Sequence, residues 1–410
     1  MLFCVWRLTT SVSMNHLFVN LAAKPHKLFF LGGIANALVY MGLLAAHYAG
    51  WASSLIALPL YHAYAMIFMV FTQFFTAFLF TMAPRFFATP PVPRTQYLAV
   101  FLILNLSSLI FALSLYSSTS LLAIAGVGLF AAYLMVCGVL MTANRQSVVE
   151  NRYDTNWILL AFALGGLSHL LFLLCWLGVA GGGVQRAAIG IGFFLYLFMV
   201  VLTLSQKMIP FFTEGKVEGY RASKSRYFLE AVFALLVIKL LLETLQLGRY
   251  GFVVDLVLAL ITLLEIIKWR LPLFKVEPIL WVLYLALMWI PAGFFLFFLE
   301  GAARYFTEGA SWFFEQSPLH LIAIGYFTTI ALGFGSRIIL GHSGRKPAAD
   351  RYTIGLFMLV QLVVVIRALS GLSLNLDAAW YLNLILLSAG LWMLLFLLWS
   401  LRYLKLLFEA

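Results

Sequence analysis

Charged side chains are scarce in this sequence, and their scarcity excludes a soluble globular fold. Asp, Glu, Lys and Arg together make up 10% of the 410 residues, whereas 64% are hydrophobic. About a quarter of the residues in a soluble domain are charged. The apolar runs also lack the strict alternation of apolar and polar residues that a transmembrane β-barrel requires. The composition therefore indicates an α-helical membrane protein, with the lipid bilayer as its main partner.

Cysteine is also rare, which removes two further classes of protein. Cys4, Cys137 and Cys175 are widely spaced and form no C-x-x-C pair, so neither a disulfide framework nor a thiolate metal site is expected.

The net charge of +11 comes from Lys and Arg in short segments between apolar runs. No basic groove with interleaved aromatic residues is visible, and we expect no nucleic-acid partner.

Apolar runs long enough to cross a membrane recur along the whole chain. A helix of about 18 or more apolar residues crosses a hydrocarbon core of about 30 Å. The predicted fold class is all-α, a polytopic helix bundle that forms one transmembrane domain over 28–401, flanked by short segments at 1–27 and 402–410. No internal sequence repeat is evident. Twelve spans are predicted, at 28–48, 59–82, 96–117, 119–143, 156–179, 186–208, 227–246, 251–268, 278–299, 318–340, 353–371 and 378–401.

Lysine and arginine are distributed unevenly between the two sides of the predicted bundle. With the N-terminus in the cytoplasm, 21 of the 26 basic residues lie at the termini or in the even-numbered loops. Lys239 lies within a span. Because cytoplasmic loops carry the excess of basic residues, this bias predicts that both termini are cytoplasmic in a bacterial inner membrane. The four basic residues on the outer side are Arg186, Arg249, Arg304 and Arg367.

Histidines are the main candidates for metal chemistry once this orientation is set. His62, His169 and His320 lie in the second, fifth and tenth spans, all in the outer half of the membrane. His169 lies in a strongly apolar helix, where an imidazole without a partner is costly. Either a metal or haem iron, or a Ser or Tyr on a neighbouring helix, would satisfy it, and both interpretations stay open on spacing alone.

The inner end of the tenth span is unusually basic. Arg337, His342 and Arg345 lie within nine residues, and His26 lies at the same side of the first span. Such a cluster is suited to an anionic group, such as a haem propionate or a lipid phosphate. An ordinary anchor at the cytoplasmic interface explains the same residues equally well.

Three motifs carry the most specific pattern in the chain. The tenth span has His320, Gly325 and a closing S-R-I-I-L-G-H-S-G-R at Ser336–Arg345. The sixth span ends in K-M-I-P-F-F-T at Lys207–Thr213, where proline is expected to stop the helix. The second span begins Y-H-A-Y-A-M at Tyr61–Met66. Together these motifs resemble the NnrS family of haem- and copper-containing membrane proteins of the bacterial nitric oxide response.

The resemblance follows the order of the spans over essentially the whole chain. Family members close the tenth span with S-R-x-x-L-G-H-T-G-R and the sixth with R-x-I-P-x-F-T, so Ser343 and Lys207 are small departures. Arg367 lies where members carry an arginine on the eleventh span. One departure is larger, because many members read W-H-x-H-E-M in the second span. Here Tyr64 and Ala65 stand at the positions of the second His and the Glu, and if that His binds a metal in relatives, this chain has lost the ligand or uses Tyr64 instead.

The resemblance implies a protein that binds haem, expected to be of the b type, and it allows copper as a second metal. Two of His62, His169 and His320 would then be axial ligands of the haem iron, and nitric oxide would be the candidate ligand. No carboxylate pair or nucleophile indicates group-transfer chemistry. A haem-binding protein of nitrosative-stress tolerance is therefore expected rather than a turnover enzyme.

The resemblance also gives the inner-face cluster a role. His26 and His342, with Arg337 and Arg345, would form a site for copper or for haem propionates. A maturation factor that hands haem or copper to a respiratory enzyme would use the same histidines.

A twelve-span secondary transporter is the other alternative. It would use ionisable residues near the middle of the membrane. The candidates are Lys239, Glu243 and Asp255, of which the first two are one turn apart and are expected to pair.

Overall fold

The structure, a computed structural model of the chain, describes residues 19–273, 275–307 and 314–408. In these ranges the regular elements are all helices, and eleven are long and apolar enough to cross a membrane, which confirms an all-α, multi-pass membrane protein. The twelve long helices of the described chain are α1 Pro25–Tyr48, α2 Leu58–Phe86, α3 Arg94–Ser114, α4 Thr119–Gln146, α5 Tyr153–Trp176, α6 Gly182–Glu214, α7 Phe228–Thr244, α8 Gly251–Lys268, α9 Pro278–Phe306, α10 Ser317–His342, α11 Arg351–Ser373 and α12 Ala378–Phe408.

Each predicted span corresponds to one of these helices, with ends that differ by a few residues. The remaining helix, α7, has 17 residues and is too short to be counted among the eleven candidate spans. The segment predicted as a tail from residue 402 is helical as far as Phe408. Of the predicted N-terminal segment, residues 1–18 lie outside the described ranges.

Local sequence explains where several helices begin. Proline occupies the first turn of α1, α2, α9 and α10, where its missing N–H has no helical partner to lose. The helix α11 begins after Asp350, whose carboxylate accepts a hydrogen bond from the backbone N–H of Thr353 at 2.9 Å. That bond lowers the pKa of Asp350, as an N-cap carboxylate at the positive end of a helix should.

Pro210 does not end α6, contrary to the prediction from the sequence. The helix continues to Glu214, with the proline inside it. A proline cannot donate to the carbonyl four residues earlier, which here belongs to Gln206. The ammonium of Lys224, from the loop that follows α6, donates to this carbonyl instead. A replacement donor therefore removes the main reason for the helix to stop.

Three helices contain a π-helical stretch: Ala65–Phe71 in α2, Ile191–Phe198 in α6 and Leu321–Thr328 in α10. These are also the most enclosed helices of the described chain, with 94%, 83% and 89% of their apolar windows buried, against 61% at most elsewhere. In α2 and α10 a threonine hydroxyl donates to the carbonyl five residues earlier, Thr72 to Ile67 and Thr328 to Ala323. Stretches of this kind are frequent at functional sites.

In chain order the twelve helices form three sets of four, which we call unit A (α1–α4), unit B (α5–α8) and unit C (α9–α12). In each unit the first helix packs on the second and the third on the fourth. The last helix of each unit packs on the first helix of the next: α4 on α5, α8 on α9 and α12 on α1. The three units therefore close into a ring. The second helices, α2, α6 and α10, contact one another inside the ring.

Candidate functional site

A cavity of about 620 Å³ opens at the predicted outer end of the bundle. It extends from the junction of units C and A, where α1, α2, α10, α11 and α12 line it, to the junction of units B and C, where α6 to α9 line it. Apolar and aromatic residues form most of its walls, and about a third of the lining residues are polar or charged. The size and the lining are those of a site for a small molecule or cofactor.

His62 and His320 face each other in this cavity. His62 lies in the first turns of α2, and His320 lies directly before the π-helical stretch of α10. Their ring centroids are 6.3 Å apart, and the ring planes are within 15° of parallel. Residues that are 258 positions apart in the sequence are thus brought together by the contact between units A and C.

Hydrogen bonding fixes the state of the His320 ring. Its Nδ1 lies 2.8 Å from the carbonyl oxygen of Gln316, and because a carbonyl only accepts, Nδ1 carries the proton. In the neutral ring Nε2 is then the nitrogen with a lone pair for a metal. A metal-bound histidine commonly donates its other ring N–H to a carbonyl or a carboxylate in this way, and that hydrogen bond orients the ring. The buried Nδ1 of His62 has no hydrogen-bond partner among the described residues.

The distance between the two rings fits an ion held between them. A metal–imidazole bond is about 2.0 Å long and the bound nitrogen lies about 1.1 Å from the ring centre, so imidazoles on opposite sides of one ion have centroids about 6 Å apart. Among the residues that the structure describes, no group of three or more His, Cys, Asp or Glu could hold a metal. Two protein ligands suit haem, whose macrocycle supplies the other four nitrogens.

His169 lies in a different part of the bundle, at the junction of units A and B. Its Nε2 is 2.6 Å from the hydroxyl of Tyr64, and both side chains are fully buried. Phe68 and Phe130 pack on the imidazole at centroid distances of 4.4 and 5.1 Å. The structure therefore brings together two of the three outer histidines and gives the third a tyrosine partner.

The two inner histidines also form a pair. The rings of His26 and His342 have centroids 4.9 Å apart and planes inclined by 31°. His26 is 1% exposed, with its Nδ1 3.4 Å from the hydroxyl of Thr81. The ammonium of Lys24 donates to the backbone carbonyl of His342 at 3.3 Å. The structure therefore brings together the two histidines that the sequence analysis placed at the inner face.

The two arginines predicted beside that pair are arranged differently. The guanidinium of Arg337 stacks on the ring of Phe212, 4.0 Å from its centroid, and its buried Nη1 has no hydrogen-bond partner in the described part of the chain. Arg345 is exposed in the loop that follows α10. Neither arginine lines the outer cavity.

The cavity contains charged residues that the motifs did not single out as ligand contacts. Arg186, Arg304 and Arg367 line it, as do Glu300 and Glu315. Glu300 accepts a hydrogen bond from Arg304, and Glu315 accepts one from Arg367 at 2.7 Å. The signal that points to these arginines is their side of the membrane, because they are three of the four that violate the charge bias.

Lys239 and Asp255 form a buried ion pair at the other end of the cavity. The ammonium of Lys239 lies 2.8 and 2.9 Å from the two carboxylate oxygens of Asp255, which links α7 to α8. Glu243, the expected partner of Lys239 one turn away, is 4.0 Å from it. The principal partner of Lys239 is therefore on the neighbouring helix rather than its own.

The comparison with protein families agrees with these motifs. The sequence profile of the NnrS protein family matches residues 20–410, nearly the whole chain. The chain belongs to the NnrS family. No curated protein matches the sequence.

Several residues of the NnrS motifs have clear roles in helix packing. Arg337, from the motif that closes α10, stacks on Phe212 from the motif that ends α6. The hydroxyl of Ser336 accepts a hydrogen bond from the indole of Trp399 at 3.0 Å. A Cβ on Gly325 would lie 2.4 Å from the ring of Trp289, so glycine is needed for this close approach. These contacts explain much of the NnrS pattern through packing.

Proposed function

We propose that this membrane protein binds haem b in the outer cavity, where His62 and His320 would hold the iron, and that it contributes to nitric oxide tolerance in a bacterial inner membrane. The observation that carries the proposal is the pair of nearly parallel imidazoles 6.3 Å apart. Membership of the NnrS family supports it. The basic bias of the even-numbered loops supports the location.

The chain's own residues supply ligation, orientation and exclusion of water. Gln316 holds the His320 ring by its Nδ1 proton, so that Nε2 is presented in one tautomer. Apolar side chains such as Met66, Ile67 and Leu197 line the cavity and keep its dielectric constant low. Haem held there would supply an iron that can bind nitric oxide.

The first test is the optical spectrum of the purified protein, oxidised, reduced and after addition of nitric oxide, with metal analysis of the same sample. We expect about one iron per chain and a Soret band that shifts with nitric oxide. His62→Ala and His320→Ala should each lose haem or change the ligation signature. His169→Ala is the control, because it removes a buried imidazole that lies outside the cavity.

Two results would contradict this assignment. A Soret band unchanged in both His62→Ala and His320→Ala would place the haem elsewhere. A colourless, metal-free protein from haem-replete cells would remove the haem function and bring the transporter hypothesis forward.

Copper, if this chain binds it, is assigned by the same proposal to the inner pair of His26 and His342. Imidazole is a good ligand for copper, and these rings are 4.9 Å apart. The metal analysis tests this part separately, because the double variant His26→Ala/His342→Ala should lose copper while it keeps iron and the Soret band. Copper that persists in the double variant would contradict the assignment.

A further inference from the structure

The outer arginines divide into two kinds by their surroundings. Arg249 is exposed, donates a hydrogen bond to the Tyr250 hydroxyl and stacks on the same ring, away from the cavity. Arg186, Arg304 and Arg367 line the cavity. A basic residue on the side of the membrane that topology disfavours needs another reason to be there. Carboxylates in the cavity supply part of that reason for Arg304 and Arg367, and a ligand of opposite charge would supply the rest.

Arg367 is the most deeply placed of the three. It is 7% exposed and lies on α11, where the Ser370 hydroxyl accepts from its Nη1 at 2.8 Å. Its Nη2 donates to Glu315 at 2.7 Å. Its Nη1 also donates to the hydroxyl of Ser317, three residues before His320 on α10. It therefore lies at the histidine end of the cavity, fixed by packing and hydrogen bonds.

The guanidinium keeps capacity for a further acceptor. Arginine has five N–H donors, and the contacts of Arg367 to Ser317, Ser370 and Glu315 use three of them. Arg367 already donates to one carboxylate at the cavity wall, that of Glu315, so a carboxylate is a group that this guanidinium binds. Arginine is the side chain best matched to carboxylates in geometry and charge.

We propose that Arg367 binds a carboxylate of the cavity ligand, so that haem is oriented with a propionate toward the outer end of the bundle. This inference rests on the proposed haem function and adds the orientation of the ligand and the residue that sets it. It also moves the propionate contact from Arg337 and Arg345, at the inner end, to the opposite end of the molecule.

The test compares two porphyrins that differ in the carboxylates alone. Haem-free protein is titrated with iron protoporphyrin IX and with its dimethyl ester, and the Soret band reports binding of each. Because a charge-assisted hydrogen bond is lost with the ester, we expect the wild-type protein to prefer the free acid by about tenfold or more. Arg367→Leu should reduce this preference to near one, whereas Arg249→Leu, the matched control on the same side of the membrane, should leave it unchanged.

Two further variants keep the test decisive if Arg367→Leu does not fold. The double variant Arg367→Leu/Glu315→Leu removes both charges of the buried pair, which proteins tolerate better than removal of one, and it too should lose the preference. Glu315→Gln removes the resident carboxylate, and its preference for the free acid should equal or exceed that of the wild type.

The outcomes separate this inference from the proposed function. If the wild-type protein binds neither porphyrin, the haem function itself fails. If it binds the acid and the ester equally well, or if Arg249→Leu loses the preference as completely as Arg367→Leu, haem binding stands and the role of Arg367 is overturned.

Discussion

Tyr64 stands two residues after His62, where many NnrS sequences carry a second histidine. Its hydroxyl bonds Nε2 of His169 on α5. Aromatic rings enclose it, with Trp176 nearest at a centroid distance of 4.4 Å and Phe172 at 5.1 Å. The Tyr64 hydroxyl is thus one of the two kinds of partner that the sequence allows for this imidazole, and Nδ1 of His169 has no hydrogen-bond partner among the described residues.

Removal of that hydroxyl should destabilise the protein. Tyr64→Phe leaves Nε2 of His169 buried without a partner, which costs about 1–3 kcal/mol of the free energy of unfolding. Tyr61→Phe is the control, because the hydroxyl of Tyr61 is buried and has no hydrogen-bond partner among the described residues. Thermal unfolding in detergent should show a lower midpoint for Tyr64→Phe and an unchanged or higher one for Tyr61→Phe. Equal midpoints for the two variants would mean that the bond to His169 contributes nothing.

The sequence predicts the depth of each histidine in the membrane but not its position around the bundle. The number of residues between each histidine and the end of its span gives its depth, which places His62, His169 and His320 in the outer half of the membrane. Which of them meet depends on how α2, α5 and α10 are arranged, and apolar helices of similar hydropathy carry little information about that arrangement. The separation of His169 from the other two therefore emerges only from the fold.

At the scale of elements, the ion pair between α7 and α8 is the contact most sensitive to change. Lys239 and Asp255 have side chains 6% and 5% exposed, so each charge relies on the other. The ammonium also lies 4.4 Å from the centroid of the Phe297 ring on α9. One pair of side chains thus connects three consecutive helices.

Breaking this pair should cost more than removing it. Lys239→Met or Asp255→Leu alone leaves a buried charge without its partner, and each should lower the free energy of unfolding by about 3–5 kcal/mol. The double variant Lys239→Met/Asp255→Leu should recover most of that loss, because two apolar side chains then meet. Unfolding midpoints of the four proteins form the measurement. A double variant no more stable than the single variants would show that the charges do not act as a pair.

Twelve helices with nearly correct ends could be predicted from hydropathy, whereas their internal irregularities could not. The π-helical stretch in α6 reads as an unbroken apolar run, G-F-F-L-Y-L-F, with no residue that marks a change of hydrogen bonding. The passage of α6 through Pro210 depends on Lys224, a residue of the following loop. Both features arise from contacts outside the segment itself.

At the scale of the whole molecule, the three units share an arrangement of helix contacts although their sequences show no evident repeat. Pro84 and Pro210 lie at the same register, 19 residues after the first residue of their π-helical stretches, whereas unit C has leucine at that register. The side chains at the junctions also differ, with a pair of histidines between units A and C, a packed aromatic cluster between units A and B, and an ion pair of unit B against α9 of unit C. Apolar residues exchange freely on lipid-facing surfaces, so sequence similarity fades while helix packing persists.

Closure of the ring by α12 and α1 brings the two ends of the described chain together. Asn20 donates a hydrogen bond to the carbonyl of Phe408 at 3.4 Å. Domains whose ends are close tolerate circular permutation. Each unit has four helices, so each begins and ends on the same side of the membrane. A chain joined across these ends and opened in the loop at 147–152 should therefore fold with its units in the order B, C, A.

Chromatography and thermal unfolding of that permutant in detergent test this expectation. A second permutant, opened in the loop at 87–93 on the same side of the membrane, divides unit A and should be the less stable of the two. The reverse order of stability would show that the units are not the building blocks of the bundle. If the first permutant folds as expected, the bundle can assemble even when unit A is synthesised and inserted into the membrane last.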